Sequence, residues 1–246
     1  MLNKILTESI NDKGKFKAIF LAGAPGAGKS YTSKKIMDGG VQPRIVNPDK
    51  FYEYFLFNDK SLDLDIMDTT VRLLKKQLFF YVDGMLPLLV DTTSSSIIST
   101  IRRKAMLESI GYDTGLCWVD TDLEIALQRN RERNRVVDED FLKHAHDSIQ
   151  KNVNYLKSHF KFYKRIDNNQ EIMDNSVIMS SYKAVRQFYR EPLHNKIGIA
   201  NVQAVMEAGE SYLTPTVYTK QELQHDLDIW YSMKQKKAFM ATIRKD

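Results

Sequence analysis

The chain has almost no cysteine. Cys117 is the single thiol among 246 residues, which excludes an intramolecular disulfide framework and a cysteine-based metal cluster. This cysteine stands in the apolar run Leu-Cys-Trp-Val at 116–119, which is typical of a buried strand. A single thiol is consistent with a reducing compartment, and we expect a cytoplasmic protein.

Long apolar runs are also missing. The longest one, near residues 85–90, is too short to cross a bilayer, so no transmembrane anchor is expected. Charged side chains at Lys4, Glu8 and Asp12 interrupt the first twelve residues, which is unlike a signal peptide. The sequence has no internal repeat and no low-complexity segment. We therefore expect no membrane partner.

What the chain does contain is the balance of a globular protein. It is 43% hydrophobic and 27% charged, which provides enough apolar material for a sizeable core. Its length fits one α/β domain, or one domain with an appendage. The net charge of +5 and the pI near 9.0 suit anionic ligands such as nucleotides or nucleic acid. Because many proteins of this charge bind neither, the charge alone assigns no partner.

Short apolar runs alternate with segments of helical periodicity along most of the chain. This alternation predicts a three-layer α/β sandwich around a mostly parallel, five-stranded sheet. In such sheets ligands bind at the carboxyl ends of the strands. The predicted strands cover 16–21, 44–47, 86–90, 114–119 and 160–166, and the predicted helices cover 29–37, 49–55, 66–84, 97–110, 123–134, 138–158 and 177–189.

The chain is predicted to have three units. Residues 1–15 carry an amphipathic N-terminal helix, and residues 16–190 form the main domain. Residues 191–246 are an accessory segment, in which 192–218 has no clear period and 220–243 has the pattern of a basic amphipathic helix. The role of this segment is not evident from its sequence.

A glycine-rich loop separates the first predicted strand from the first predicted helix. Its sequence, Gly-Ala-Pro-Gly-Ala-Gly-Lys-Ser at 23–30, has the spacing of a phosphate-binding loop. Glycines let the backbone approach an anion closely, and the N–H groups there point at phosphate oxygens. Lys29 reaches the β- and γ-phosphates, and Ser30 offers its hydroxyl to Mg²⁺. The predicted nucleotide-binding residues are Gly23, Ala24, Pro25, Gly26, Ala27, Gly28, Lys29, Ser30 and Tyr31.

Acidic residues follow three of the predicted strands. Asp91 closes the apolar run 86–90, as a Walker-B aspartate does, and is expected to hold Mg²⁺ directly or through water. Asp49 follows the second strand, in a position that suits a general base for an acceptor hydroxyl. Helix capping is the competing interpretation for both residues, and for Asp120, after the fourth strand, it is the preferred one.

Four arginines recur at every second position after the fourth predicted strand. In a helix Arg129 and Arg133 share one face, and Arg131 and Arg135 share another. The segment is predicted to change from helix to loop near its end. A cationic loop there can close over a triphosphate as a lid and stabilise the transferring phosphoryl group. The alternative is a solvated face whose arginines pair with Glu124, Glu132, Asp138 and Glu139.

Taken together, these motifs resemble the P-loop kinases that group polynucleotide 5′-kinases with zeta-toxin-like kinases. The resemblance covers about residues 16–168. Besides the phosphate loop and the arginines, it depends on Val-Asp-Thr-Thr at 90–93, Val-Asp-Thr-Asp at 119–122 and Ile-Asp-Asn at 166–168. It implies phosphoryl transfer from ATP or GTP, with Mg²⁺, to a hydroxyl group.

The resemblance also implies roles for individual side chains. Asp49 would be the base, and Arg129 and Arg133 would be the leading lid residues. Arg131 and Arg135 would be further contacts to the nucleotide. The residues expected to take part in catalysis are therefore Lys29, Asp49, Arg129 and Arg133.

The sequence departs from that family near the expected base. Many members have an arginine three residues after the aspartate, where it helps to hold the substrate, whereas this chain has Tyr52, with Lys50 as the nearby cation. This departure leaves the acceptor unassigned. Residues 191–246 also lack the aspartate-rich pattern of an attached phosphatase domain, so a two-headed end-healing enzyme is not expected.

Three functions are compatible with the sequence. The first is a kinase whose acceptor hydroxyl belongs to a nucleoside or nucleotide, a nucleotide sugar or a polynucleotide 5′ end. The second is a nucleotide-dependent binding or assembly module without phosphoryl transfer. The third is a nucleic-acid protein that uses the basic C-terminal helix, for which a solvated helix face is the preferred interpretation. The cations concerned are Lys234, Lys236, Lys237, Arg244 and Lys245.

Overall fold

The computed structural model describes residues 13–38, 40–47, 64–133, 136–169 and 175–208. The predicted N-terminal helix, the helix predicted over 49–55 and the basic C-terminal helix lie outside these ranges. The predicted site residues Asp49 and Arg135 also lie outside them, as does Tyr52.

Five strands form one sheet: β1 (Lys17–Ala22), β2 (Arg44–Val46), β3 (Leu88–Asp91), β4 (Asp113–Asp120) and β5 (Phe162–Asp167). Their order is β2-β3-β1-β4-β5, and every neighbouring pair is parallel. β1 is central, so that Phe20 lies between Val90 of β3 and Leu116 of β4. The predicted fold class is confirmed.

The described residues contain seven helices: α1 (Lys29–Met37), α2 (Leu64–Asp83), α3 (Ile97–Ile110), α4 (Leu123–Arg131), α5 (Glu139–His159), α6 (Asn175–Arg190) and α7 (Lys196–Ala208). α1 and α3 begin and end where the sequence predicts. α4 is shorter than predicted, because the chain turns away after Arg131. None of these helices is long and apolar enough to cross a membrane.

Both faces of the sheet are buried, as expected of a three-layer sandwich. On one face Phe20, Leu88 and Leu116 share a core with apolar residues of α2, α3, α5 and α7. On the other face Ile19 and Cys117 share a core with residues of α1 and α6. Burial raises the pKa of the Cys117 thiol to about 12. This cysteine is thus the buried strand residue that its apolar neighbours predict.

Helix α7 lies within residues 192–218, a segment whose sequence has no clear period and for which no helix is predicted. Gly198 in its first turn weakens the helical pattern, but this glycine packs directly on the backbone of Gly111, where a Cβ would collide with the carbonyl oxygen. Asn195 donates to the carbonyls of Glu108 and Tyr112 and so fixes the start of the helix. The described part of the accessory segment therefore packs on the main domain, and the boundary at 190 stays a prediction.

A buried ion pair ties the accessory segment to the amino-terminal end of the sheet. Lys17 Nζ donates to Asp113 Oδ2 at 2.7 Å and to the carbonyl of Pro192 at 2.8 Å. Lys17 is 1% exposed, and the backbone N–H of His194 donates to the same carboxylate at 2.9 Å. Both charges are thus satisfied away from water, which is the condition under which a buried pair is tolerated.

We predict that Lys17→Met lowers the free energy of unfolding by about 3 kcal/mol, because it leaves the Asp113 carboxylate buried without its counter-charge. Urea denaturation measures the effect. Lys143→Met is the control, since Lys143 is 47% exposed in its pair with Asp140 and should change little. Adding Asp113→Asn to Lys17→Met should recover part of the loss. Equal stability of Lys17→Met and the wild type would contradict this account.

Candidate nucleotide site

The phosphate loop connects the central strand β1 to α1, and its glycines are required by both conformation and space. Gly26 and Gly28 have φ angles of 80° and 89°, in the left-handed region that side chains disfavour. A Cβ on Gly26 would collide with the carbonyl oxygen of Ala126 in α4, and a Cβ on Gly28 would collide with the amide of Asn168. The loop is therefore held closely between α4 and the end of β5.

The Lys29 side chain lies back across this loop. Its Nζ donates to the carbonyl of Gly23 at 2.9 Å and to that of Ala24 at 3.2 Å. Ser30, the first residue after this lysine, is exposed, and so is Tyr31. The lysine charge is thus centred on the loop, with the serine hydroxyl open to solvent beside it.

Asp91 ends β3 directly beside the phosphate loop. It pairs with Leu21 in the sheet, the N–H of Thr92 donates to the Leu21 carbonyl at 3.1 Å, and the N–H of Gly23 donates to the Thr93 carbonyl at 3.4 Å. The Asp91 carboxylate accepts a hydrogen bond from Asn47 Nδ2 at 2.8 Å. The phosphate loop and the Asp91 carboxylate therefore share one edge of the sheet.

The capping interpretation is wrong for two of the aspartates. The side chain that caps α3 is Ser96, which accepts from the N–H of Ser99, and not Asp91. The N-cap of α4 is Asp122, and its side chain makes no capping hydrogen bond. Asp120 instead accepts from Gln150 and Arg165, at 2.9 Å and 2.7 Å.

The Arg165 guanidinium lies over the Trp118 ring, 5.5 Å from its centre, while it binds Asp120. This hydrogen bond raises the pKa of Arg165. Asp120 thus belongs to a charge-paired cluster that joins β4, β5 and α5.

The predicted lid arginines do not act as one group in this structure. Arg129 turns towards the phosphate loop, where its NH1 donates to the Asn168 carbonyl at 2.9 Å. Arg131 turns towards Glu139, with Nε 2.7 Å from the carboxylate. This bond raises the pKa of Arg131 and lowers that of Glu139. Arg133 is exposed just beyond the end of α4.

Asn130, near the end of α4, is bonded to Val137, on the far side of Arg133 in the sequence. Its side chain is fully buried, donates to the Val137 carbonyl at 2.6 Å and accepts from the Val137 N–H at 3.0 Å. The two ends of the chain between Asn130 and Val137, here called the arginine loop, are therefore held together. This closure also explains why α4 is shorter than predicted.

Sequence reasoning missed the amide and hydroxyl side chains that hold the site together. Asn168 Nδ2 donates to the Ala27 carbonyl at 2.7 Å, and Thr121 Oγ1 donates to the same oxygen at 3.1 Å. Asn47 holds Asp91 in a similar way. The available signal was that each follows a strand, at the edge where the phosphate loop lies.

The geometry defines the class of protein. A phosphate loop after the central strand, an aspartate at the end of the adjacent strand and arginines after β4 form the site of a P-loop kinase fold. The zeta toxin family model matches residues 3–184, well over half of the chain. The chain belongs to the zeta toxin family, which confirms the resemblance noted from the motifs.

Several solved structures are similar to this chain. One is the PezAT toxin–antitoxin system of Streptococcus pneumoniae, with 17% identity, 80% of this chain and 87% of that chain covered, and a TM-score of 0.47. Another is the Pnkp1/Rnl/Hen1 RNA repair complex, with 19% identity, 63% and 49% covered, and a TM-score of 0.48. A third is a gluconokinase from Sinorhizobium meliloti 1021, with 12% identity, 71% and 92% covered, and a TM-score of 0.43. The search of curated proteins found no match.

We predict that Asn130→Ala loosens the arginine loop. The carbonyl and the N–H of Val137 both lose their partner, which should lower the free energy of unfolding by about 2 kcal/mol. Local opening should also speed tryptic cleavage after Arg131 or Arg133 roughly tenfold. Limited proteolysis with mass spectrometry locates and times the cuts. Gln128→Ala is the control, because Gln128 is an exposed residue of the same helix whose side chain donates to Glu132 at 3.2 Å. Unchanged cleavage in Asn130→Ala would mean that this side chain does not restrain the loop.

Proposed function

We propose that the protein is a kinase that transfers the γ-phosphoryl group of ATP or GTP to a hydroxyl group. The acceptor class is a nucleoside or nucleotide, a nucleotide sugar or a polynucleotide 5′ end. The observation that carries the proposal is the juxtaposition of the Lys29 loop with Asp91, because the first binds phosphates and the second suits a cation. Membership of the zeta toxin family supports the same reaction class.

The triphosphate would lie along residues 23–30, on backbone N–H groups and the start of α1. Lys29 would exchange its bonds to the Gly23 and Ala24 carbonyls for phosphate oxygens, which attract an ammonium more strongly. Tyr31 would contribute its backbone at the start of the helix. This arrangement binds the phosphates of either nucleotide and is indifferent to the base.

The side chains beside the loop fit a magnesium ion. Ser30 offers an exposed hydroxyl and Asp91 a carboxylate, and hard divalent cations prefer oxygen ligands of both kinds, with phosphate oxygens and water completing the shell. When bound, Mg²⁺ neutralises charge on the phosphates and so favours the transfer. Asn47 would hold the Asp91 carboxylate in place through its hydrogen bond.

The transfer needs a base for the acceptor hydroxyl and cationic side chains close to the phosphates. In the proposal, Asp49 takes the proton of the acceptor hydroxyl, whose oxygen forms a bond to the γ-phosphorus while the bond to the leaving nucleoside diphosphate breaks. Arg129 is placed beside Gly28 and Asn168, so it would stabilise charge on the phosphates. Arg133 would approach as the arginine loop closes, and Arg131 and Arg135 would add contacts to the nucleotide.

We also propose that the chain has the three units that its sequence predicts. Residues 16–190 would carry the kinase chemistry, with residues 1–15 as an N-terminal helix. Residues 191–246 would be an accessory segment that stabilises the domain through α7 and the Lys17 contact with Pro192. This division assigns the reaction to the main domain alone.

We expect Lys29→Ala to lower turnover by at least about 10²- to 10³-fold, because the γ-phosphoryl group loses its principal cation. The measurement is release or transfer of label from [γ-³²P]ATP in a screen of nucleosides, nucleotide sugars and 5′-hydroxyl oligonucleotides. Lys34→Ala is the control, since it removes an exposed lysine from the same helix. Retained turnover in Lys29→Ala would refute the kinase proposal. ATP binding without transfer or hydrolysis would support a binding module instead.

Asp49→Asn should abolish transfer to the acceptor while ATP binding persists, because an amide keeps the size of the side chain but cannot accept the hydroxyl proton. Transfer is measured with the acceptor found in the screen, and binding is measured by calorimetry. Asp38→Asn, an exposed aspartate just after α1, is the matched control. Undiminished transfer in Asp49→Asn would remove Asp49 from the role of base and leave the kinase proposal intact.

A further inference from the structure

One backbone oxygen inside the phosphate loop is held by two side chains from outside it. The Ala27 carbonyl accepts from Asn168 Nδ2 at 2.7 Å and from Thr121 Oγ1 at 3.1 Å. Both donors are almost fully buried, at 5% and 3% exposed. A carbonyl oxygen has two lone pairs, so these bonds satisfy it completely.

The geometry points to Thr121 and Asn168 as positioning residues that orient the phosphate loop for anion binding. A trans peptide is planar, and its carbonyl and N–H point in opposite directions. The peptide between Ala27 and Gly28 is trans. When its carbonyl is held towards Thr121 and Asn168, the Gly28 N–H must point away from them, to the side where the triphosphate would lie. This inference rests on the proposed binding of phosphates by the loop.

The two positioning residues are themselves fixed by the ends of β4 and β5. The N–H of Asn168 donates to the Asp120 carbonyl at 2.8 Å, and its carbonyl accepts from Arg129. The Thr121 carbonyl is bonded to the ring of His146 at 2.9 Å. Their position is therefore set by contacts at the ends of β4 and β5, outside the phosphate loop.

The two hydrogen bonds to the Ala27 carbonyl have an effect on anion binding that is separate from their effect on stability. A glycine on one side of a peptide lets the peptide rotate at low cost, so the Ala27–Gly28 unit could turn its carbonyl towards the anion. Such an orientation would repel phosphate. Two hydrogen bonds on one oxygen oppose that rotation before the ligand arrives, which is preorganisation of the kind that raises affinity.

The test compares phosphate affinity with fold stability in matched variants. Thr121→Val and Asn168→Ala should each weaken binding of ATP and of inorganic pyrophosphate about three- to tenfold, the equivalent of one hydrogen bond. The double variant should weaken it by more than the product of the single effects, because either bond alone can still hold the carbonyl. Thr121→Ser keeps the hydroxyl and should bind like the wild type.

The controls remove the same kinds of bond elsewhere. Thr100→Val deletes a buried hydroxyl bond to the Ser96 carbonyl, and Asn201→Ala deletes a buried amide bond to the Ile110 carbonyl. They should lower the urea midpoint about as much as the test variants and leave the dissociation constants unchanged. Equal losses of affinity in controls and test variants would overturn the inference, because a structural role would then be sufficient.

Lys29→Ala distinguishes this inference from the proposed function. If Lys29→Ala weakens ATP and pyrophosphate binding while the double variant binds like the wild type, the positioning role is wrong and the phosphate site stands. If the wild type binds neither ligand, the phosphate site itself is refuted, and the positioning role with it. If Lys29→Ala and the double variant both weaken ATP and pyrophosphate binding while the control variants leave it unchanged, the phosphate site and the positioning role are both supported.

Discussion

The parallel direction of the five strands is the constraint on which the rest of the molecule depends. Because all five run the same way, every loop that follows a strand emerges at one edge of the sheet. β1 is central, so its phosphate loop has the end of β3 on one side and the end of β4 on the other. Asp91 and Thr121 reach the loop for that reason alone. The opposite edge is free for structural contacts such as the buried pair of Lys17 and Asp113.

Close packing at this edge determines what the phosphate loop can be. Gly26 faces the backbone of α4, and Gly28 faces Asn168, at separations that leave no room for a Cβ. The same positions have left-handed φ angles, so conformation and space exclude larger residues independently. The glycines of the motif are therefore required by neighbours as well as by the anion. The conformation of this phosphate loop therefore depends on its packing against α4 and Asn168, which are distant from it in sequence.

The separation in sequence between the loop and its neighbours decides how much of the site could be predicted from the sequence. Strands and helices follow from local patterns, and α1 and α3 have the predicted ends. The lysine and the serine of the loop are identified by spacing within eight residues. Asn168, however, lies 141 positions from its partner Ala27, and an asparagine after a strand could equally well make a turn or a cap. Helix α7 was missed because its early glycine serves a contact with Gly111, which no local pattern reveals.

The alternate spacing of the arginines has a structural consequence of its own. Residues two apart on a helix point to nearly opposite sides, so Arg129 faces the phosphate loop while Arg131 faces Glu139. The ion pair of Arg131 with Glu139 is exposed, and exposed ion pairs are weak enough to rearrange easily. Arg129 is different, because its partner carbonyl belongs to Asn168, which also holds Ala27. A triphosphate that draws Arg129 towards its oxygens would therefore act on the residue that orients Gly28, whereas recruiting Arg131 would disturb only the outer surface. Asn130, between the two arginines in sequence, is bonded to Val137 and not to the partner of either arginine.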